Sequence, residues 1–275
     1  SFPTRRSSDL TQHDAAESRP AGAREVALFI SCLADLMRPA AAQAALQLLE
    51  DAGCRVQVPT PQSCCGQPGY NGGDYAGAAA LARQTVAQFE SYAYVVVPSG
   101  SCAGMLRHHY PRLLEGNWRR RAETLAGRVF ELTAFLHDIV GYRPAPRAGA
   151  GSVAYHDGCA GLRELGVREQ PRRLLEAAGF ELRELPGRDV CCGFGGTFCA
   201  RMPAISARMA DDKLAEIEAS GADEASAGDL GCLLSLAGRA RRRGSELRFR
   251  HVAELLAGSA GPPIGTPVRR QRRSR

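Results

Sequence analysis

The sequence predicts an α/β fold of two duplicated Rossmann-like units, each with a parallel sheet and with cysteines at the carboxyl ends of its strands. Three observations lead to this prediction. Most of the ten cysteines recur with a constant offset, short β-rich apolar runs alternate with helical patterns, and 44% of the 275 residues are apolar. A chain of this length and apolar content can bury one large core or two smaller ones.

Eight of the ten cysteines form two sets in register. The second set follows the first by 127 residues, or by 130 for its last member. Neighbouring features repeat as well, since LLEDAG before the first adjacent pair corresponds to LLEAAG before the second. Two units from one duplication are therefore expected. The sets are Cys32, Cys64, Cys65 and Cys102 in the first unit, and Cys159, Cys191, Cys192 and Cys232 in the second.

We expect the chain to divide where its composition changes. The first ten residues, SFPTRRSSDL, resemble a translated sequencing-adapter oligonucleotide, and the last segment is Pro/Gly-rich and then basic. The predicted segments are a disordered or artefactual extension at 1–24, a first cysteine-rich unit at 25–141, a linker at 142–152, a second cysteine-rich unit at 153–257 and a disordered basic tail at 258–275.

The elements of the first unit follow from its pattern. VALFIS is a short β-rich run that predicts a buried strand ending at Cys32. A helix is predicted from Pro39 to Gly53, since proline favours the first helical position and glycine the position after the last. The strand CRVQVP follows and leads into the first Cys-Cys-Gly loop. YAGAAALARQTVAQFESY then predicts a second helix, and YVVVPSGSC a third strand that ends at Cys102.

The second unit repeats this order. SVAYHDGC predicts a strand, QPRRLLEAAG a helix, FELREL a strand and ISARMADDKLAEIEAS a helix after the second Cys-Cys-Gly loop. No element type is assigned to the segment that leads to Cys232 or to the closing LRFRHVAELLAG. Strands that alternate with helices indicate parallel sheets, in which ligands lie beyond the carboxyl ends of the strands. Four thiols in each unit are thus expected to converge.

The adjacent thiols favour metal or redox chemistry over a disulfide framework, because no secretion signal is evident. Consecutive side chains diverge and suit one tetrahedral zinc poorly, whereas neighbouring thiolates can bind different iron atoms of one cluster. Gly66 and Gly193, which follow the two pairs, are predicted to line the cofactor, since bare loops let amides approach cluster sulfurs. Zinc and thiol–disulfide chemistry stay open as alternatives.

Composition argues against several other classes of protein. The formal net charge of +6 arises at the ends, because residues 1–24 carry +1 and residues 258–275 carry +5. The body between them is balanced, so no nucleic-acid partner is expected. No run of eighteen apolar residues could span a bilayer, and a cytoplasmic protein is expected. No Gly-x-Gly-x-x-Gly opens a helix after a strand, so no flavin or nicotinamide site is predicted. No residue is predicted to be catalytic.

Seven motifs together resemble a known family: CLAD, SCCGQPGYNGG, YVVVPSGSC, HDGC, CCGFGGTF, GDLGCL and RHVAELL. The chain resembles the iron–sulfur proteins of bacterial L-lactate utilization, within a group that carries a duplicated cysteine-rich CCG domain. That group includes the glycolate oxidase iron–sulfur subunit and the B subunit of heterodisulfide reductase. The resemblance covers residues 25–257.

The resemblance implies an electron-transfer subunit that holds iron–sulfur clusters on the eight repeated cysteines. Such a subunit acts with other subunits in the oxidation of L-lactate and is inactive by itself. A glycolate oxidase subunit, a component of a heterodisulfide or thiol–disulfide reductase and a zinc-stabilised scaffold are the alternatives. A visible absorption spectrum of protein purified without oxygen separates an iron–sulfur protein from a thiol–disulfide reductase and from a zinc-stabilised scaffold.

One departure from the wider group bears on the type of cluster. Heterodisulfide reductase B subunits end each motif in Cys-x2-Cys, whereas the earlier position here is Ser99 in one unit and Asp229 in the other. Each unit therefore has four repeated thiols instead of five. This favours one simpler cluster in each unit, with [4Fe–4S] as the candidate type, and makes heterodisulfide reduction less consistent with the sequence.

Four further residues were weighed as candidates. Cys54 and Cys199 have no counterpart under the repeat and are expected to be small buried residues without metal. His156, three residues before Cys159, also lacks a repeat partner and is expected at the surface or beside a cluster. His251 fits the resemblance but equally suits the start of a helix.

Overall fold

The computed structural model describes residues 23–266 and contains two four-stranded sheets, one in each half of the chain. The strands of the first sheet are β1 (Glu25–Leu28), β2 (Arg55–Gln57), β3 (Val95–Val97) and β4 (Val129–Glu131). Those of the second are β5 (Ser152–Tyr155), β6 (Glu181–Leu182), β7 (Glu224–Ala227) and β8 (Arg248–His251). All pairings are parallel, in the orders β2-β1-β3-β4 and β6-β5-β7-β8. The predicted fold class is confirmed.

Helices connect consecutive strands, as parallel pairing requires. In the first unit they are α1 (Cys32–Met37), α2 (Pro39–Asp51), α3 (Gln67–Gly72), α4 (Tyr75–Phe89), α5 (Gly100–Gly104), α6 (Tyr110–Leu113), α7 (Gly116–Ala126) and α8 (Leu132–Ala134), with π-helical stretches at Met105–His109 and Phe135–Val140. In the second unit they are α9 (Cys159–Glu164), α10 (Glu169–Ala177), α11 (Phe198–Arg201), α12 (Pro203–Ala219), α13 (Leu230–Arg242) and α14 (Val252–Ala257).

The register of the sheets carries the same offsets as the cysteines. Ala27 of β1 lies opposite Val95 of β3, and Ala154 of β5 lies opposite Ala225 of β7. The first members of these pairs differ by 127 residues and the second by 130. The repeat read from cysteine spacing is therefore a repeat of backbone structure.

Each sheet has a fourth strand that the sequence pattern did not reveal. β4 follows α7 in the first unit, and β8 occupies the first part of LRFRHVAELLAG, whose second part forms α14. β7 lies in the segment to which no element was assigned. The short helix α3 likewise forms after Gly66, where the sequence predicts only the Cys-Cys-Gly loop.

The two units pack closely against each other. Helix α14 of the second unit packs on α2 of the first, and one continuous apolar core includes Leu48 from α2 and Leu256 from α14. An ion pair also joins the two units. Arg38, the residue before α2, places its Nη2 2.6 Å from Oε1 of the fully buried Glu254 in α14. A second apolar cluster, around Phe89 and Tyr110, fills the other face of the first sheet.

A second contact between units brings together α5 and α9, which follow β3 and β5. A Cβ atom added at Gly100 would lie 2.8 Å from the Cα atom of Gly161, so these two backbones touch. Because Cys102 lies in α5 and Cys159 begins α9, the two sets of thiols lie on either side of this contact.

The chain ends lie partly outside the structure. The expected N-terminal extension falls on residues 1–24, of which 1–22 lie outside the described residues, as does 267–275 of the expected basic tail. The beginning of that tail, residues 258–266, lies among the described residues. Ile264 pairs with Phe249 in an antiparallel bridge and is 6% exposed, because it packs into the continuous apolar core that the two units share.

Candidate metal centres

The four thiols of the first unit meet in a line of contacts. Cys32 begins α1 and its Sγ lies 3.7 Å from that of Cys64, while Cys65 Sγ lies 3.4 Å from Cys102 Sγ in α5. The loop between β2 and α3 holds the adjacent pair. The two neighbours thus reach different partners, in agreement with the argument that consecutive side chains diverge.

The second unit repeats this line. The Cys191 thiol lies close to those of Cys159 and Cys192, and Cys192 in turn lies close to Cys232 in α13. The structure therefore brings all eight sequence-predicted cysteines into two separate clusters, one beyond the carboxyl ends of each sheet.

Contact between thiols strongly changes their ionisation. Hydrogen bonds, from Cys32 first and then from Cys65, lower the pKa of Cys64 to about 2. The same bond raises the pKa of Cys32, and burial adds to this effect. In the second unit, hydrogen bonds from Cys159 and Cys192 lower the pKa of Cys191 to about 2.

Each cluster of thiols can therefore carry one stabilised thiolate while it resists further ionisation, because like charges in contact repel. Four thiolates can coexist in such a space only around a positively charged centre. The donor set is thus suited to a metal or a metal–sulfur cluster.

The glycines after the two pairs adopt the same unusual backbone angle. Gly66 and Gly193 both have φ of 82°, a conformation open chiefly to glycine. A Cβ atom at Gly193 would lie 2.7 Å from the carbonyl oxygen of Ser206. The amide of Gly193 donates to Cys191 Sγ at 3.3 Å, and the amide of Gly66 bonds Cys64 in the same way. In both loops a glycine amide is therefore placed to donate a hydrogen bond to a cysteine sulfur.

The two positions that depart from the Cys-x2-Cys pattern contact each other across the units. Ser99 Oγ donates to Asp229 Oδ1 at 2.8 Å, and the same oxygen accepts from the amide and hydroxyl of Ser101 at 3.1 and 2.7 Å. Ser99 precedes α5 and Asp229 precedes α13. These residues link the segments that carry Cys102 and Cys232, and the link could not be read from either motif alone.

His156 takes the second of the two placements that the sequence left open. It is fully buried, and its ring lies beside the second set of thiols and not at the surface. One ring nitrogen and the sulfurs of Cys192 and Cys232 all lie within 4.8 Å of one another. The neighbouring Cys192 thiol, and to a smaller extent the nearby ring of His156, lower the pKa of Cys232 to about 7 against the opposing effect of burial. The motif HDGC places this histidine three residues before Cys159, but the lack of a counterpart in the first unit argued against a role as a ligand.

The remaining candidates have structural roles. Cys54 is 2% exposed in the core and burial raises its pKa, as expected of a small apolar residue. The expectation for Cys199 was wrong, because it is partly exposed at the start of α11, where its Sγ donates to the carbonyl of Gly196. His251 caps α14, its ring accepting the amide of Ala253 while Glu254 accepts the amide of His251.

Comparison with known proteins also divides the chain into two similar units. The sequence profile of the CCG cysteine-rich domain matches residues 26–107 and again residues 153–237. The chain belongs to the cysteine-rich CCG-domain family. Each match covers the first three strands of one sheet, and the two together contain all eight repeated cysteines.

Curated relatives within the CCG-domain family match over nearly their whole length. The chain is 43% identical to "Lactate utilization protein A" of Geobacillus kaustophilus, over 84% of this chain and 98% of that protein. It is 39% identical to "Lactate utilization protein A 2" of Bacillus cereus, over 85% of this chain and 98% of that protein. The sequence resemblance to this family is confirmed.

A solved structure adds a likeness of fold alone. A hypothetical protein from Helicobacter pylori superposes with a TM-score of 0.58 at 11% identity and covers 93% of this CCG-domain chain. This chain spans 53% of that protein's length. Among residues 23–266, every helix is too short or too polar to cross a lipid bilayer.

Proposed function

We propose that each unit of this protein holds one iron–sulfur cluster on its four cysteines, and that [4Fe–4S] is the type. The main support is that two adjacent cysteines have different partners, since Cys64 contacts Cys32 and Cys65 contacts Cys102. A single zinc ion draws its ligands toward one point, whereas a cluster offers each thiolate a different iron. Four thiolates match the four irons of such a cluster.

The surroundings of the thiols support the same proposal. Amides of Gly66 and Gly193 donate to sulfur in the two units, which stabilises an anionic cluster. When bound, an iron–sulfur cluster accepts and releases single electrons, so the protein's own task is to hold and insulate it. The contact between α5 and α9 holds the segments that carry Cys102 and Cys159 side by side, which favours electron transfer between the two sets of thiols.

We infer that the protein acts as an electron-transfer subunit in L-lactate oxidation, together with other subunits. The support is its identity of 43% and 39% to proteins named for lactate utilization. The eight cysteines serve electron transfer rather than catalysis, and substrate chemistry belongs to a partner that carries a hydride-accepting cofactor. Glycolate oxidation, disulfide reduction and a zinc scaffold are the alternatives; growth on glycolate would support the first and stoichiometric zinc the last.

The metal proposal is tested on protein purified without oxygen. We expect a brown protein with iron and acid-labile sulfide in two sites, and little zinc. Cys65→Ser should deplete the first site and Cys192→Ser the second, because each unit supplies its own thiols. Cys54→Ser and Cys199→Ser are matched controls that should retain parental iron. Colourless protein with stoichiometric zinc contradicts the proposal, and loss of all iron in both Cys65→Ser and Cys192→Ser contradicts two independent sites.

The functional proposal is tested by complementation. The gene should restore growth on L-lactate to Geobacillus kaustophilus that lacks its lactate utilization protein A, and the Cys192→Ser variant should not. The purified chain alone should not oxidise L-lactate with an artificial electron acceptor. Restored growth on glycolate but not on L-lactate, or turnover by the chain alone, would contradict this assignment.

A further inference from the structure

His156 and Phe29 occupy the same place in the two units. Each follows the first strand of its sheet, three residues before the first cysteine of its set. The amide of Phe29 donates to the carbonyl of Val96 at 2.9 Å, and that of His156 donates to the carbonyl of Ser226 at 2.7 Å. Because the backbone bonds correspond, the side chains differ in chemistry at an equivalent position.

In the first unit this position is purely apolar. Phe29 is 1% exposed and its ring centroid lies 5.6 Å from that of Phe89. It contributes no polar hydrogen to the thiols beside it. The polar ring of His156 therefore distinguishes the second set of thiols from the first.

His156 is buried without the partners that a buried imidazole normally has. Its exposure is 0%, and neither ring nitrogen has a hydrogen-bond partner among residues 23–266. The adjacent Asp157 is already paired, since its oxygens accept from Arg172 at 2.9 and 2.8 Å. Buried polar groups without a partner are rare in native proteins and call for an unseen ligand or ion.

The acceptors within reach of the ring are sulfurs. A ring nitrogen lies within 4.8 Å of the Sγ atoms of both Cys192 and Cys232. Four cysteines already match the four irons of the proposed cluster, so the imidazole is not needed as a fifth ligand. A neutral imidazole always carries one N–H, and the thiolate of a bound cluster is a strong acceptor for it.

We propose that His156 donates an N–H hydrogen bond to the Cys232 thiolate of the loaded second centre, and that this raises the reduction potential of that centre above that of the first. This rests on the proposed function, because it presumes a cluster in each unit. A hydrogen bond to cluster sulfur stabilises the reduced state, which carries one more negative charge. Phe29 offers no such bond, so electrons pass from the first centre to the second.

The experiment is a redox titration of the anaerobically purified full chain, followed by electron paramagnetic resonance. The wild type should show two potentials. His156→Phe, which installs the residue of the first unit, should lower the higher potential and leave the lower one unchanged, with parental iron. The expected shift is at least tenfold in the one-electron equilibrium, or about 59 mV. Phe29→Leu is the matched control and should leave both potentials in place.

The outcomes distinguish the His156 hydrogen bond from the proposed iron–sulfur clusters on which it rests. Two iron–sulfur signals whose potentials do not respond to His156→Phe overturn the hydrogen bond but leave the proposed clusters intact. Protein without iron and sulfide overturns both. Loss of the second centre's iron in folded His156→Phe overturns the hydrogen bond in favour of direct ligation.

Selective labelling of histidine with ¹⁵N gives a second measurement that needs no variant. A weak nitrogen coupling at one centre should change with the label in pulsed spectra of the wild type. A strong coupling, typical of iron-bound imidazole, or the absence of any histidine coupling, contradicts the proposal. His156→Leu serves if the phenylalanine variant fails to fold.

Discussion

Replacement of Gly100 by alanine should loosen the contact between the two units. The added Cβ would lie 2.8 Å from the Cα and 2.9 Å from the amide nitrogen of Gly161, and 3.2 Å from Oδ2 of Asp229. Ordinary separations between non-bonded carbon atoms are about 3.5–4.0 Å, so α5 and α9 must move apart by roughly 0.7 Å or more. The obstacle is backbone and cannot be relieved by a change of rotamer.

The cost follows from the structure. Overpacking of this kind costs about 1–3 kcal/mol, and separation of the helices also strains the bond from Ser99 to the carboxylate of Asp229, a class of bond that contributes about 1.5–3 kcal/mol. We therefore expect the free energy of unfolding to fall by about 3 kcal/mol, which corresponds to roughly 6–12 °C in melting temperature for a chain of this size. Iron should fall in both centres, since α5 carries Cys102 and α9 begins with Cys159.

Differential scanning calorimetry and iron analysis of anaerobic protein measure these effects. Gly161→Ala is the control at the same contact, because its added Cβ would meet only the Cα of Gly100, at 3.9 Å. That is ordinary van der Waals separation, and alanine suits a helix better than glycine does, so the control should melt within about 2 °C of the parent. Equal effects of Gly100→Ala and Gly161→Ala would refute the steric reasoning.

Three further predictions concern single residues. Burial raises the pKa of Glu131 from 4.5 to about 7, so the folded state holds this proton more tightly than the unfolded state, and stability is lost as pH rises between those values. Glu131→Gln should remove about 3 kcal/mol of that loss, measured by denaturant titrations from pH 4.5 to 8, and the same pH dependence in parent and variant would contradict it. Gly193→Ala should lose more iron than Gly66→Ala, because the added Cβ meets Ser206 O at 2.7 Å in one case and Ala78 O at 3.3 Å in the other; equal retention of iron argues against this. Arg38→Met should lower the free energy of unfolding by about 3 kcal/mol, since it strands the buried carboxylate of Glu254, and the double variant with Glu254→Gln should recover most of it; no recovery would show that the ion pair is not the cause.

The elements that sequence reasoning recovered are those with strong local patterns. The helices that begin at Pro39 and Tyr75 have long alanine-rich and apolar periodicity, and the strand at Val95–Val97 is a run of β-branched residues. The strand at Glu224–Ala227 reads EASA, without β-branched or aromatic residues, and becomes a strand because parallel neighbours pair with it. The strand at Val129–Glu131 reads VFE and ends in a charged residue, so no apolar run of β-branched residues marks it as VVV marks Val95–Val97.

The amino-acid sequence by itself determined the duplication, the α/β class and the identity of the eight repeated thiols. These properties lie in spacings along the chain, where an offset of 127 residues is visible without any coordinates. The sequence also carried the reason for two adjacent cysteines, since divergence of consecutive side chains is a local property of the backbone.

Only the tertiary structure decided which groups meet between distant segments. The bond from Ser99 to Asp229 joins residues 130 positions apart, and the touch between Gly100 and Gly161 depends on how two sheets pack. The burial of His156 beside Cys192 and Cys232 likewise depends on where the strand and helix α13 converge. Such contacts leave no periodic trace in the sequence, because each results from packing of whole elements and not from the conformational preference of any one segment.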